Sequence, residues 1–381
     1  MATLLLTRPG VCSAKLGQYG SRELCTFYKL HKNETVNDFI ESKEENGSTL
    51  AEKILKLDAE TKKELAPCPL EHKSNLPKVE LKPIDFAKLP LHYLSLGKAR
   101  LTSLVMFSSA AGYLMAPAAI DYKLMTVCAI GTGLTSMSSH AFNQIIEIPY
   151  DAKMGRTKNR LLVRNLISPK HAAVFGAVTG AAGLSVLYAG VNPLTCSIGA
   201  LTWLLYVGAY TPMKRITIYN TWVGSVVGSL PTLMGYTGCM NTIDLGGLLL
   251  FGVTYAWQFP HFNSLSWYLR HDYGNAGYKM MSVCRQDLCR STTLRYSLGM
   301  LAICSSMPLA GLTHWSFALT SLPINGLMVY LSYKFYQKPG NAKARQLFRY
   351  SLVYLPLVFI LMLLQKNENP ELQEDAKRSI S

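Results

Sequence analysis

Residues 143–160 read NQIIEIPYDAKMGRTKNR, and this stretch carries the polar groups around which the rest of the chain is organised. Asn143, Glu147 and Asp151 are spaced four apart, so on a helix successive members drift by only about 40° and share one face. Pro149 either kinks this helix or ends it before Asp151. Oxygen side chains at this spacing suit Mg²⁺, which proteins usually hold with one or two carboxylates plus substrate phosphates.

A run of basic residues follows the three oxygen-bearing side chains directly: Arg156, Lys158, Arg160 and Arg164. Acids that hold a metal beside cations that hold phosphate are typical of a diphosphate site. In a soluble helix, simple pairing of Glu147 and Asp151 with these cations would be the better interpretation. Here Asn143 and Glu147 lie at or inside a predicted membrane boundary, where polar groups are costly and usually functional, which favours a site.

The composition is that of a membrane protein. Hydrophobic residues make up 49% of the 381 residues and charged residues 16%, with 38 Lys and Arg against 23 acids. A nucleic-acid binder carries dense basic patches, so this balance argues against nucleic acid as a partner. The nine cysteines form no CxxC pair, which excludes zinc-ribbon and thioredoxin-like sites.

From Leu101 onward the chain alternates apolar segments with short polar ones, and a membrane-spanning helix needs about 20 mostly apolar residues. Nine segments are candidates: 101–117, 124–147, 171–190, 194–212, 221–238, 244–260, 296–312, 316–333 and 348–364. The predicted fold class is therefore all-α, a polytopic membrane protein with nine transmembrane helices. Many Gly, Ser and Thr residues within these segments favour close helix packing in lipid.

The basic residues are distributed unequally between the two sides of the predicted bundle. The even-numbered connections hold Lys153, Arg156, Lys158, Arg160, Arg164 and Lys170, then Lys214 and Arg215, then Arg270, Lys279, Arg285, Arg290 and Arg295, then Lys334, Lys338, Lys343, Arg345 and Arg349. The odd-numbered connections hold Lys123 alone. By the positive-inside rule, the even-numbered connections and the N-terminus lie on the same side, which in a mitochondrion is the matrix.

The parts outside the bundle differ in composition. Residues 1–30 are predicted as a mitochondrial presequence, because the first 22 contain Arg and Lys but no acid. Residues 31–95 are polar, of mixed charge and rich in Pro, which indicates a largely disordered arm. The membrane domain is predicted over 96–365, followed by a polar tail over 366–381.

Several separated motifs resemble the UbiA-type intramembrane prenyltransferases, and within them the subfamily that farnesylates protohaem IX. They are the 143–160 stretch, Ile167-Ser168-Pro169 with His171, Tyr210-Thr-Pro-Met-Lys214-Arg215, and Trp257-Gln-Phe-Pro260-His261-Phe262 followed by Asp272-Tyr273. The resemblance extends over about residues 95–365 and implies nine helices around a central cavity. His271 departs from the pattern, since many relatives have a second acid beside Asp272.

The resemblance also implies the chemistry: transfer of the farnesyl group of farnesyl diphosphate to a vinyl group of haem B in the bilayer, giving haem O for haem A and cytochrome c oxidase assembly. It implies Mg²⁺ on Asn143, Glu147, Asp151 and Asp272, with the first three as the catalytic set. It implies diphosphate on Arg156, Lys158, Arg160, Arg164, Lys214 and Arg215. His261 and His140 are candidates for haem contacts, and the downstream haem O hydroxylase is a candidate partner.

Two alternatives remain open from the residues. One is a prenyltransferase of the same fold that acts on a quinone precursor, against which the Trp257–Phe262 stretch and Asp272-Tyr273 argue. The other is a membrane carrier for an anionic metabolite. A carrier more often places its polar site near the bilayer midplane between two repeated halves, and the first-half motif has no second copy in this chain. The sequence leaves the oligomeric state open.

Overall fold

The computed structural model describes residues 86–367. All regular secondary-structure elements in that range are helices. The predicted presequence, the arm up to residue 85 and the tail from residue 368 lie outside the described residues. The helices are α1 (Leu89–Leu96), α2 (Ala99–Met115), α3 (Tyr122–Asp151), α4 (Pro169–Gly190), α5 (Pro193–Leu204), α6 (Thr211–Ile216), α7 (Asn220–Met240), α8 (Leu245–Tyr268), α9 (Arg270–Asn275), α10 (Met281–Cys284), α11 (Gln286–Ser306), α12 (Ser316–Thr320), α13 (Leu322–Gln337) and α14 (Asn341–Leu364). A π-helical turn, Leu205–Tyr210, joins α5 to α6.

Each predicted apolar segment overlaps one or more helices, and several of these helices continue into polar sequence. Helix α8 runs to Tyr268 rather than to residue 260, and α11 begins at Gln286, ten residues before the predicted segment. The predicted segment 316–333 is divided at Ser321, where α12 ends and α13 begins. Hydropathy marks the apolar part of a helix, whereas the helix itself continues as long as backbone hydrogen bonds do.

Three helical stretches among residues 86–367 are long and apolar enough to cross a membrane by length and composition: Pro169–Gly190, Pro193–Ile216 and Asn341–Leu364. The second of these includes α5, the π-helical turn and α6. The chain is an all-α membrane protein, and the number of nine membrane crossings stays a prediction.

Small residues allow the helices to approach closely, as predicted. A Cβ atom at Gly112 in α2 would lie 2.0 Å from the backbone oxygen of Thr232 in α7. A Cβ at Gly183 in α4 would lie 2.6 Å from the hydroxyl of Thr135 in α3. Side chains larger than hydrogen would therefore force these helices apart, which is the reason that small residues are enriched at helix contacts in lipid.

The long connection between α8 and α11 folds back against α6. The backbone N–H of Lys279 donates to the backbone oxygen of Lys214 at 2.7 Å, and the Asn220 side-chain amide donates to the backbone oxygen of Lys279 at 2.9 Å. These hydrogen bonds join the connection after α8 to α6 and to the start of α7. The candidate site lies at this meeting point.

Candidate active site

Helix α3 carries the three oxygen-bearing side chains to one place. Pro149 lies inside the helix and does not end it, because α3 continues to Asp151. Proline removes one backbone hydrogen bond, but its fixed φ is compatible with helical geometry. Asn143, Glu147 and Asp151 therefore keep the common face predicted from their spacing, and all three are at most 5% exposed.

Two cations neutralise the carboxylates. The Lys214 ammonium, at the end of α6, lies 2.8 Å from Glu147 Oε1. The Arg160 guanidinium contacts both carboxylates: it lies 3.6 Å from Glu147 Oε2 and pairs directly with Asp151. Lys214 comes from a helix 67 residues along the chain from Glu147, so the cluster joins two parts of the bundle.

Asn143 has a third cation as its partner. Lys98 precedes α2, and its Nζ donates to Asn143 Oδ1 at 3.0 Å. Lys98 has a φ of 49°, the left-handed region that costs energy for a residue with a Cβ and is enriched at functional sites. Burial, with the positive charge of Arg160 nearby, lowers the pKa of Lys98 to about 7. Lys98 is not among the residues predicted from the sequence, where its only signal is a basic residue just before the first apolar segment.

These groups line one cavity of about 200 Å³. Its wall consists of Lys98, Leu101, Asn143, Glu147, Asp151, Met154, Arg156, Thr157, Arg160, Tyr206, Tyr210, Lys214, Phe262, Leu265, Tyr273, Tyr278 and Met280. The predicted set contributes Asn143, Glu147, Asp151, Arg156, Arg160 and Lys214 to this wall. The cavity thus combines hard oxygen ligands, several cations and an apolar, aromatic remainder.

Three of the predicted diphosphate residues lie elsewhere. The side chains of Lys158 and Arg164 are exposed and are not part of the cavity wall. Arg215 turns instead to Tyr150, to whose hydroxyl it donates at 2.7 Å and over whose ring it lies, 4.6 Å from the centroid. A run of cations shows that basic groups are near the site, but the loop conformation decides which of them face the cavity.

Neither candidate histidine lines the cavity. His261 lies inside α8 rather than at its end, since the helix continues to Tyr268. Its Nδ1 is 2.9 Å from the Ser351 hydroxyl, and its ring stacks on Trp257 with centroids 4.5 Å apart. His140 is buried in α3, with Nε2 3.3 Å from the Ser136 hydroxyl. The predicted haem contacts of these two residues stay predictions.

Asp272 lies in the first turn of α9, outside the cavity wall. Its Oδ2 faces the loop after α3, because a Cβ atom at Gly155 would lie 3.7 Å from it. Among residues 86–367, no group of three or more His, Cys, Asp or Glu side chains is arranged to hold a metal ion. The oxygen set that converges in the cavity consists of two carboxylates and one amide, and a metal role for Asp272 stays a prediction.

The aromatic part of the wall comes from distant segments. Tyr206 and Tyr210 belong to the π-helical turn, with ring centroids 5.5 Å apart, and the Lys214 ammonium lies 4.4 Å from the Tyr210 centroid. Phe262 comes from α8, and Tyr273 and Tyr278 come from the connection after it. These three groups of residues are far apart in the sequence, so no sequence motif predicts that they share one wall. A π-helical turn is an irregularity that often marks a functional site.

Comparisons of the sequence identify named relatives. The chain is 45% identical over 275 residues to "Protoheme IX farnesyltransferase, mitochondrial" of Homo sapiens, a match that covers 72% of this chain and 62% of the human protein. It is 40% identical over 306 residues to the protein of that name from Neurospora crassa, covering 72% of this chain and 60% of the relative. The chain thus spans about three fifths of the length of these relatives.

The fold also has solved counterparts. A structure of digeranylgeranylglyceryl phosphate synthase superposes with a TM-score of 0.64 at 13% identity, covering 73% of this chain and 98% of that one. The Archaeoglobus fulgidus UbiA homologue described as bound to DMAPP and Mg²⁺ gives a TM-score of 0.54 at 13% identity, covering 71% and 99%. These matches confirm the all-α fold predicted from the sequence. The family model for "UbiA prenyltransferase family" matches residues 105–353, and the chain belongs to that family.

Proposed function

We propose that this chain transfers the farnesyl group of farnesyl diphosphate to a vinyl group of protohaem IX, forming haem O. The observation that supports this most directly is the convergence of Asn143, Glu147 and Asp151 with Lys98, Arg160 and Lys214 around one cavity. Oxygen ligands beside several cations suit a metal–diphosphate group. The likeness to proteins named protoheme IX farnesyltransferase supports the choice of haem as acceptor.

The donor set fits Mg²⁺, because two carboxylates and an amide oxygen are hard ligands that leave positions for diphosphate oxygens. Asn143, Glu147 and Asp151 would hold the ion, and when bound it would neutralise the charge of the diphosphate. The UbiA homologue described with Mg²⁺ and a prenyl diphosphate supports a divalent metal in this family. Each of the three oxygen ligands now contacts a cation, and these cations are placed to turn to the diphosphate when the metal takes the oxygens.

The reaction can be written with the roles of these residues. The allylic C–O bond breaks, and its electron pair leaves with the diphosphate, whose growing charge Lys98, Arg160 and Lys214 would stabilise. The vinyl π electrons of protohaem then bond to the farnesyl carbon. Water adds to the resulting porphyrin-side cation and loses a proton, which gives the hydroxyethylfarnesyl side chain.

The remaining wall of the cavity serves the developing cation. Tyr206, Tyr210 and Phe262 present aromatic surface next to the charged cluster, and aromatic faces attract cations electrostatically. Met154, Leu265 and Met280 add apolar surface that excludes stray water. The same wall suits an allylic chain close to its diphosphate.

We expect the purified full chain in lipid nanodiscs to convert haem B and farnesyl diphosphate to a hydroxyethylfarnesyl porphyrin in the presence of Mg²⁺. EDTA should abolish the product, and restored Mg²⁺ should return it. Mass spectrometry of the extracted porphyrin is the measurement. Prenylation of an aromatic quinone precursor instead of haem would discard the proposed acceptor. Mg²⁺-independent binding of an anionic metabolite without turnover would favour a carrier.

Two basic residues in the loop after α3 form a matched pair for the diphosphate role. Both side chains are exposed, but Arg156 lines the cavity and Lys158, two residues further on, lies outside it. We expect Arg156→Met to raise the KM for farnesyl diphosphate by about 10-fold, since one charge-assisted contact is lost, and Lys158→Met to change it less than about twofold. Both variants remove one positive charge. Equal effects of the two would show that only the overall charge of the loop matters.

The names of the relatives and the charge pattern support a proposal for the location. The basic even-numbered connections support a mitochondrial inner-membrane protein with its N-terminus in the matrix. Protease treatment of mitoplasts tests this orientation, with a tag placed either directly after residue 30, behind the predicted presequence, or at the C-terminus. Digestion of the tag after residue 30 by added protease would contradict the matrix location. Handover of haem O to a downstream hydroxylase is a further element of this proposal, and co-purification in mild detergent tests it.

A further inference from the structure

Asn143 differs from the other two oxygen ligands because its side chain has two unlike ends. A carboxylate presents oxygen whichever way it turns, whereas an amide presents either an oxygen or an NH₂ group. Only the oxygen can bind a metal ion. Some feature of the protein must therefore decide which end of the Asn143 amide faces the cavity.

Thr211 is in contact with the end of the amide that turns away from Lys98. Asn143 Nδ2 donates to Thr211 Oγ1 at 3.1 Å, and Thr211 Oγ1 donates to the backbone oxygen of Tyr206 at 2.8 Å. Thr211 and Asn143 are each 1% exposed, so water does not compete for these groups.

The direction of each hydrogen bond follows from the chemistry of its partners. A hydroxyl has one hydrogen, and the Tyr206 backbone oxygen can only accept, so the Thr211 hydrogen is used there. Toward Asn143 the Thr211 oxygen can then only accept, which requires the NH₂ end of the amide. At the other end Lys98 Nζ donates to Oδ1, and in its protonated form Lys98 can only donate, which requires the oxygen. The two neighbours specify the same orientation independently.

The π-helical turn places Thr211 in this position. The backbone N–H of Thr211 also donates to the Tyr206 backbone oxygen, five residues back, as the π-helical geometry requires. The turn thereby places Thr211 beside Asn143, while Tyr206 and Tyr210 lie on the cavity wall.

We infer that Thr211 is a positioning residue whose hydroxyl fixes the Asn143 amide so that Oδ1 faces the metal and diphosphate. The inference rests on the proposed function, because it assumes that Asn143 is a ligand. Metal binding competes with Lys98 for Oδ1 but leaves the NH₂ end untouched. Asn143 thus has two orienting neighbours, Lys98 and Thr211. Once the metal has displaced the Lys98 ammonium, Thr211 is the one of these two neighbours that still holds the amide in its orientation.

The test measures metal binding rather than turnover. The full chain in nanodiscs is titrated with Mn²⁺ in the presence of farnesyl diphosphate and without haem, and free Mn²⁺ is followed by electron paramagnetic resonance. Thr211→Val keeps the side-chain shape but removes the hydroxyl. We expect it to weaken Mn²⁺ binding by about 10-fold, the lower end of what loss of a ligand-orienting contact costs. Thr211→Ser keeps the hydroxyl and should stay within about twofold.

Thr202 offers a matched control in the same membrane-spanning stretch. Its hydroxyl donates to the backbone oxygen of Ile198 at 2.7 Å and it is not part of the cavity wall. Thr202→Val makes the same chemical change and should leave Mn²⁺ binding unaltered. A fall in Mn²⁺ affinity for Thr202→Val as large as that for Thr211→Val would point to general loosening of the helices and overturn the inference.

The Asn143→Asp variant, used as a second genetic background, distinguishes an effect on the orientation of the residue 143 side chain from structural damage. With Asn143→Asp the ligand has an oxygen at both ends, so its orientation no longer matters. Adding Thr211→Val to Asn143→Asp should then change Mn²⁺ affinity by less than about twofold, a clear departure from additivity. An undiminished loss in this background would overturn the inference, as would normal binding by Thr211→Val alone. If the unaltered chain binds no Mn²⁺, the metal site of the proposed function fails and the inference fails with it.

Discussion

We expect Glu147→Gln to lower haem farnesylation on the order of 100-fold or more, the scale on which removal of one group that stabilises transition-state charge acts. Among the three oxygen ligands, Glu147 is the one whose change is expected to have the largest effect. It is buried, and its two carboxylate oxygens contact Lys214 at 2.8 Å and Arg160 at 3.6 Å. The amide would remove a charged metal ligand and leave two buried cations with one fewer counter-ion.

The measurement is the initial rate of hydroxyethylfarnesyl porphyrin formation at saturating Mg²⁺, beside the thermal stability of the same sample. Asp287→Asn is a suitable control, because that carboxylate is 92% exposed, pairs with Arg290 and lies outside the cavity. It makes the same acid-to-amide change and should retain nearly full activity. Near-normal turnover of Glu147→Gln would remove Glu147 from the proposed metal set, whatever its effect on stability.

The second large effect is expected at Arg160. Its guanidinium contacts both Glu147 and Asp151, so one side chain holds the two carboxylates in place before substrate arrives. We expect Arg160→Met to reduce turnover on the order of 100-fold, through weaker charge stabilisation of the leaving diphosphate. Arg160→Lys should lose about 10-fold, because a lysine keeps the charge but lacks the planar fork that reaches two acids at once.

Arg164→Met is the matched control for this series. Arg164 lies four residues further along the same loop. It is exposed and is not part of the cavity wall. The control removes the same charge, and we expect less than about a twofold change in rate. Equal losses at Arg160 and Arg164 would show that the rate depends on the net charge of this face. A full rescue by Arg160→Lys would show that charge alone matters and that bridging of the two carboxylates does not.

The contrast between Arg160 and Arg164 shows that a run of basic residues in the sequence does not predict which of its side chains face the cavity. Arg156, Lys158, Arg160 and Arg164 are all plausible partners for a diphosphate from sequence, and the structure brings two of them to the cavity. The loop after α3 is irregular, and nothing in its local sequence fixes which side chains turn inward. Within the loop, Met154 packs against Tyr273 and Tyr278 from the connection after α8, a contact that the local sequence does not predict.

His261 shows the same limit on a helix. The predicted apolar segment ends at residue 260, directly before His261, but α8 continues to Tyr268. The ring is packed against Trp257 and Phe348, with Ser351 at its Nδ1. Hydropathy gives the end of an apolar segment, whereas the end of the helix depends on tertiary packing of the polar turns beyond it.

The sequence by itself determined the all-α membrane architecture and the common face of Asn143 and Glu147, whereas the structure decided that the helix continues past Pro149 to Asp151. The architecture and the common face are local properties, set by apolar segment length and by the helical period. The tertiary structure alone decided that Lys98, Thr211 and Lys214 meet this face. Contacts between helices depend on how each helix is rotated and how far it is displaced along its axis, and these are set by packing across the whole bundle.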